Sequence, residues 1–338
     1  MNSLETIEDT NSSFTTMGGA AISGDNIGFW TFLPFSGFFE GIYEHTGGAG
    51  GSYAKIADED DTVFGLNSPL RFYTSFNSSR VDQDGGETAF LGEDTTGGWG
   101  IYSTIFFGGG LFAIPPRVYS GRDEMPGTGE LFDLTFTPAI SFDGGDIALK
   151  GQNDDQSWEG VYLFDSSVFD RFLVADLDTP ASDSGGEFFD RFFMASVDGD
   201  TDNVAFLAED GNGDIGLYAR IDCVIGKVIG TGNDDLEIGK EITDLGFGHE
   251  GFDGNSGGEP QAVFLAHFDD GSQEIYVAHI SFDPPVPGDV NGDELVTLVD
   301  LIFLFDLWLE EGRCLPGDFN KDEIIDLLDF VVMALAWP

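Results

Sequence analysis

Positive charge is what this 338-residue sequence lacks most. Lys and Arg number 13 against 62 Asp and Glu, leaving a formal net charge of −49. So few cations cannot neutralise a phosphate backbone or an anionic lipid surface, which excludes nucleic acid and acidic membranes as partners. Cysteine is nearly absent. Cys223 and Cys314 lie far apart, and their spacing leaves one bridge and two free thiols equally open. The four histidines, His45, His249, His267 and His279, show no zinc-ligand spacing. The longest apolar stretch, 295–309, is interrupted by Asp300 and Asp306 and is too short to span a bilayer. No leader is visible in the opening MNSLETIEDT, so an extracellular or cell-surface location implies a chain already relieved of its signal peptide. Phosphate loops, dinucleotide fingerprints and Ser-His-Asp arrangements are also missing.

What is present is a chain rich in Gly and Phe, with 48 and 33 copies, and 41% hydrophobic overall. That is enough apolar material for a globular core, and it rules out a disordered acidic tail. The surplus of carboxylates attracts Ca²⁺ and makes the fold sensitive to ionic strength.

The first 283 residues repeat with a period of about 58. One anchor is a short apolar strand: NIGFW at Asn26, ETAFL at Glu87, DIALK at Asp146, NVAFL at Asn203 and QAVFL at Gln261. A second anchor follows each: GIY at Gly41, GIY at Gly100, GVY at Gly160, GLY at Gly216 and EIY at Glu274. A third, less regular segment comes next, such as YAKIADEDDT from Tyr53 and RFLVADLDTP from Arg171. Asp/Gly turns precede the first anchor and suit tight hairpins, because Gly and Asp tolerate positive φ. Strand, turn, strand, turn, strand, loop, strand at this period is the pattern of a β-propeller blade. Five units therefore predict a mostly β fold, a five-bladed propeller over 1–283. The fifth unit stops at DPPVP without its fourth strand, and LETIEDTNSSF at the N-terminus has the right character to supply it and close the ring.

These anchors resemble a family of bacterial exported tandem-repeat proteins with a Gly-x-x-Ala-Phe core. The match is carried by Gly86, Ala89 and Phe90, and by Gly145 and Ala148 with Leu149 in the Phe position. Ala205 and Phe206 keep the core, but Asp202 takes the Gly position. The resemblance brings no established activity with it.

Repetition also decides how the other residues read. Phe recurs in nearly every unit, which favours inter-blade core over a sugar-stacking surface. Carboxylates recur too: Asp25, Asp84, Asp143, Asp200 and Asp253 fall in the same turn, and Glu40 and Glu159 both precede the second anchor. A catalytic acid pair would break the repeat, so a glycoside hydrolase using two carboxylates is the alternative to a non-enzymatic binding or display role. A polysaccharide is the alternative partner for the propeller. Asp210, Asn212 and Asp214 have Ca²⁺-loop spacing without later ligands, so the expectation is a polar turn.

The C-terminus carries a different repeat. After the Pro-rich linker 284–287, GDVNGDELVTLVD begins at Gly288 and GDFNKDEIIDLLD at Gly317. Counted from the first Asp, positions 1, 3, 5, 9 and 12 are Asp289, Asn291, Asp293, Thr297 and Asp300, then Asp318, Asn320, Asp322, Asp326 and Asp329. With the backbone carbonyls of Leu295 and Ile324 at position 7, each copy has the ligand spacing of an EF-hand Ca²⁺ loop. Hard cations need many oxygens at short range, and two such sets imply two calcium ions. Position 6, usually Gly, is Glu294 and Glu323. Each loop leads into an apolar helix, with a predicted packing stripe of Leu298, Leu301, Ile302 and Phe305 in one and Leu328, Val331, Val332 and Leu335 in the other. Loop-then-helix in duplicate over 288–338 resembles a type I dockerin. That resemblance implies a Ca²⁺-dependent module that docks onto a cohesin-like protein or cell-surface scaffold in a carbohydrate-related, secreted setting.

Overall fold

The computed structural model describes residues 16–23, 26–33, 39–46, 52–58, 73–84, 87–94, 98–103, 117–121, 123–126, 128–134, 140–143, 146–166, 170–182, 187–198, 201–231, 236, 240–254, 259–282, 287–290, 295–310, 314–315, 317–322 and 324–337. The chain divides into two compact units. One holds 1–220 and 225–280, the other 221–224 and 281–338.

The first unit is built of antiparallel meanders. Sheet 1 runs β1 (Thr16–Ser23), β2 (Asn26–Leu33), β3 (Phe39–Thr46) and β4 (Ser52–Asp58). Sheet 2 runs β5 (Tyr73–Asp84), β6 (Glu87–Asp94), β7 (Trp99–Ser103) and β8 (Arg117–Ser120). Sheet 3 runs β9 (Ile140–Asp143), β10 (Asp146–Gln152), β11 (Glu159–Asp165) and β12 (Asp170–Asp176). Sheet 4 runs β13 (Phe189–Asp198), β14 (Asn203–Asp210), β15 (Ile215–Ile221) and β16 (Val224–Gly230). Sheet 5 has three strands, β17 (Ile242–Asp253), β18 (Gln261–Phe268) and β19 (Gln273–His279). The first anchor of every unit is thus the second strand of a sheet, and the second anchor is the third strand. The N-terminal strand expected to complete sheet 5, in the LETIEDTNSSF segment, lies outside the described residues.

The two anchors recur because they meet. Phe90 pairs with Tyr102, Phe206 with Tyr218 and Phe264 with Tyr276 across neighbouring strands. In each pair the rings stack, with centroids 5.5, 5.8 and 5.8 Å apart. The Gly of Gly-x-Tyr makes room for the same ring, which folds back over it. A Cβ on Gly216 would lie 2.6 Å from the Tyr218 ring, and one on Gly160 would lie 2.8 Å from the Ala175 carbonyl. Where sheet 5 replaces this Gly with Glu274, the Tyr276 hydroxyl instead donates to the Glu274 carboxylate at 3.3 Å. Gly216→Ala should therefore destabilise the protein by about 1–3 kcal/mol in urea denaturation, because the added methyl overfills a packed site. Gly248→Ala, whose Cβ would meet nothing within 4 Å, is the matched control and should be nearly silent.

Packing between sheets explains why β10 and β11 are buried along almost their whole length. Ile147, Leu149, Tyr162 and Phe164 face a core shared with Ala89, Leu91 and Ile101 of sheet 2. Ala148, Val161 and Leu163 face the opposite way, into a core with Phe189, Phe192, Val204, Phe206 and Tyr218 of sheet 4. Sheet 3 therefore sits between two others, and strands covered on both sides lose the polar alternation of a one-sided sheet. The Phe residues described in these clusters are core, as the repeat implied. A segment the repeat did not announce also takes part: Met125, Phe132 and Leu134, between β8 and β9, complete the first core. Phe132 meets Tyr162 edge-on at 4.9 Å.

Strand β17 departs from ladder geometry between Phe247 and Phe252. There the carbonyl of His249 accepts hydrogen bonds from the hydroxyls of Ser141 in β9, at 2.6 Å, and Ser196 in β13, at 2.8 Å. The first strands of three sheets are thereby tied together by backbone and small polar groups. Sheet 5 buries Ala262, Phe264, Ala266 and Phe268, while Val263, Ile275 and Val277 on its other face are exposed.

Candidate metal centre

The C-terminal unit contains two helices, α1 (Leu298–Asp306) and α2 (Leu327–Ala336), each starting ten residues after a left-handed Gly. Gly288 has φ 95° and Gly317 has φ 103°, values that glycine adopts without strain. Their packing is reciprocal. A Cβ on Gly288 would lie 3.2 Å from Met333 in α2, and one on Gly317 would lie 3.0 Å from Leu304 in α1. Leu304, Ile325 and Met333 form the buried centre, with Val290, Val296, Leu301, Leu315, Phe319 and Phe330 around it. Two loop-helix copies thus close on one another, because neither short helix has a core of its own.

The loops share one hydrogen-bond plan. In the first, Asp300 is fully buried and accepts from the backbone N–H of Val290 at 3.0 Å and of Thr297 at 2.7 Å. In the second, Asp329 is fully buried and accepts from Phe319 at 2.8 Å and Asp326 at 2.9 Å. Both acids are also the fourth residue of a capping box, with Thr297 and Asp326 as N-caps. The box starts each helix at position 10, so the shorter Asp still reaches the loop from position 12.

In the second loop the carboxylates of Asp318, Asp322 and Asp329 converge, with one oxygen of each within 4.8 Å of the others. The Asp322 N–H donates to Asp318 at 3.2 Å and to the Asn320 amide oxygen at 2.9 Å. Asn320 also donates to Asp322 at 2.9 Å. An all-oxygen donor set of this density fits a hard divalent cation. Asp326 turns elsewhere, accepting from Leu328 N–H at 2.7 Å as the helix cap. Ile324, meant to offer its carbonyl, donates its N–H to Asp322 at 3.2 Å. In the first loop, Asp289 is half-buried, Leu295 is exposed and Thr297 is engaged as the cap. Asn291, Asp293, Glu294 and Glu323 lie outside the described residues.

One expectation is overturned. Most of the stripe read as packing surface faces water: Leu298 is 67% exposed, Ile302 60% and Leu335 83%, with Phe305, Leu328 and Val331 also exposed, while Val332 is half-buried and Leu301 alone packs on the core. The inward line is Leu304 and Met333, both buried, with the half-buried Leu301 and Phe330 beside them. Both helices are apolar nearly all round, so periodicity alone could not choose the inward face.

The two cysteines are joined. Cys223, in the turn between β15 and β16, is bonded to Cys314, four residues before Asp318. Among the described residues no cysteine is free.

A second group of carboxylates lies in the first unit, where the sequence showed only repeated turns. Asp146, Asp165 and Asp202 each place an oxygen within 4.8 Å of the others. Ile147 pairs with Phe164, which sets Asp146 and Asp165 side by side at the end of the ladder. Asp202 comes from the β13–β14 turn. The equivalent ends carry Asn203 and Ile221 in sheet 4, and Gln261 and His279 in sheet 5, so this acid pair breaks the repeat. Comparing strand ends across the hairpins, instead of turns alone, would have found it. Burial raises the pKa of Asp146 to about 7, against a hydrogen bond from the Ser166 N–H at 2.7 Å and with help from the neighbouring charges of Asp165 and Asp202. Asp210, by contrast, is simply a turn acid, accepting from Asn212 at 2.9 Å and Asp214 at 3.2 Å.

No family model matches this sequence, and no curated protein matches it. Among solved structures, the chain is similar to a puromycin-hydrolyzing peptidase of Mycobacterium tuberculosis at 13% identity and TM-score 0.36, over 76% of this chain and 35% of that one. It is similar to the β-propeller domain of the Trilobed protease of Pyrococcus furiosus at 10% identity and TM-score 0.38, over 81% of this chain and 85% of that one. TolB of Acinetobacter baumannii is similar at 14% identity and TM-score 0.35, over 78% of this chain and 54% of that one.

Proposed function

We propose that this is an extracellular or cell-surface binding and display protein, held to a scaffold partner by a calcium-dependent dockerin-like module at 288–338. The convergence of Asp318, Asp322 and Asp329 on a loop that has a matching copy carries the calcium reading. Two ions are expected, one per loop. The exposed apolar residues of α1 and α2, among them Leu298, Ile302, Leu328 and Leu335, support docking, since clustered exposed apolar side chains mark interaction sites. A cohesin-like partner is the expected occupant, as the dockerin resemblance implies. The Cys223–Cys314 bond supports an oxidising, extracellular setting. In this reading the five sheets form a propeller ring. An N-terminal strand completes sheet 5, and ring closure covers Val263, Ile275 and Val277.

The glycoside hydrolase reading has one observation in its favour, the non-repeating acids Asp146 and Asp165. They are 2% and 1% exposed. A sugar cannot approach carboxylates so enclosed, and their burial accords better with a structural role between sheets 3 and 4.

Calcium calorimetry on the full chain tests the main reading. A stoichiometry near two is expected, falling to one in Asp289→Ala and in Asp318→Ala. No binding at millimolar calcium would sink it.

A further inference from the structure

We propose that the Cys223–Cys314 disulfide and the second acidic loop, Asp318 to Asp329, form a redox-linked cation switch, in which the oxidised chain binds calcium at that loop more tightly than the reduced chain. The inference rests on the calcium reading above. Its geometry starts at Cys314, which is separated from Asp318 by Leu315, Pro316 and Gly317 alone. Leu315 and Gly317 on that path are each held in place. The Leu315 carbonyl accepts from the Asp318 N–H at 3.1 Å, the Leu315 side chain packs in the module core, and Gly317 lies against Leu304. A change in the position of Cys314 is therefore passed to Asp318, one of the three converging carboxylates.

Backbone conformation gives the bond something to hold. Asp222, Cys223 and Cys314 have φ of 50, 72 and 56°, in the left-handed region that L-residues disfavour. With the bond in place these conformations are fixed together. A dithiol reductant delivers two electrons and two protons to the bond. It leaves two thiols, becomes a disulfide itself, and frees Cys314 to relax. The first loop has no such handle, since Asp289 follows Pro287 and Gly288 with no cysteine nearby in sequence. The switch thus belongs to one loop of the pair, and the other serves as an internal control.

Linkage makes the effect reciprocal: whatever factor the bond adds to calcium affinity, calcium adds to the bond's resistance to reduction. A factor of at least about five is expected, the lower end of ordinary coupling between sites. The test is calcium calorimetry on the full-length protein, oxidised and in dithiothreitol. Asp289→Ala reports the second loop and Asp318→Ala the first. The Asp289→Ala chain should lose at least about fivefold in affinity on reduction, and the Asp318→Ala chain should be unchanged. A Cys223→Ser/Cys314→Ser chain should reproduce the reduced behaviour without reductant. If either Asp variant fails to fold, two-site fits to the parent chain should show one affinity moving and one fixed. In the reverse arm, the dithiothreitol redox ratio at half-reduction should rise by the same factor when calcium replaces a chelator. Equal affinities with and without reductant overturn the switch and leave the calcium reading standing. Equal weakening at both loops overturns it as well, since it would mean general loosening of the unit. An absence of calcium binding in every form removes the switch and the calcium reading together.

Discussion

Removing calcium with a chelator should unfold the C-terminal unit of the intact protein, and adding calcium back should refold it. Helical circular dichroism would fall on chelation, because α1 and α2 are the helices of the described chain. The cause is the small core: Leu304, Ile325 and Met333 are its only fully buried hydrophobic residues among those described. Against that core stand Asp318, Asp322 and Asp329, whose like charges repel within one loop. A unit of this size has little stability to spare, so cation binding becomes folding energy. At 100 times the dissociation constant, each site adds about 2.7 kcal/mol, and two sites about 5 kcal/mol. The Cys223–Cys314 bond changes how the experiment must be done. A fragment beginning at the Pro-rich linker would lack Cys223 and its constraint, so the full chain is the proper sample. Cleavage at the linker should release no fragment until a reductant is added. Helicity that ignores both chelator and calcium would refute the prediction.

Much of this architecture was legible because it repeats. Apolar anchors at a fixed period located the second and third strands of all five sheets, and the Phe–Tyr stacking and Gly-under-Tyr packing give the physical reason for that regularity. Duplicate spacing likewise located the acidic loops and placed both helices to within a residue or two. What did not repeat was harder to see. Met125, Phe132 and Leu134 join a core from a segment with no counterpart in other units. The inward face of α1 and α2 was misread except at Leu301, because both helices are apolar nearly all round. The disulfide could not be read from spacing, since its cysteines are separated by 91 residues.

The carboxylate group at Asp146 was missed for a related reason, and it leads to the second large effect. Asp146→Asn should remove a pH-dependent destabilisation of the first unit. Asp146 is nearly fully buried beside Asp165 and Asp202, and burial raises its pKa from 3.8 to about 7 in the folded chain. Below pH 4 the group is protonated in both folded and unfolded states, and its environment then carries no ionic penalty. As pH rises from 4 to 7, the unfolded chain gives up the proton while the folded chain retains it. Stability falls across that window at up to about 1.4 kcal/mol per pH unit. By pH 7 the loss amounts to at most about 4 kcal/mol, and above it the curve flattens as the folded group ionises too. Net charge of −49 adds its own repulsion over the same range, so the parent and Asp146→Asn chains must be compared by urea denaturation at each pH. Their difference should be small at pH 4 and grow in favour of the Asn variant up to pH 7. A parent chain as stable as the variant at pH 7, or more so, would show that Asp146 is ionised and compensated in the folded state.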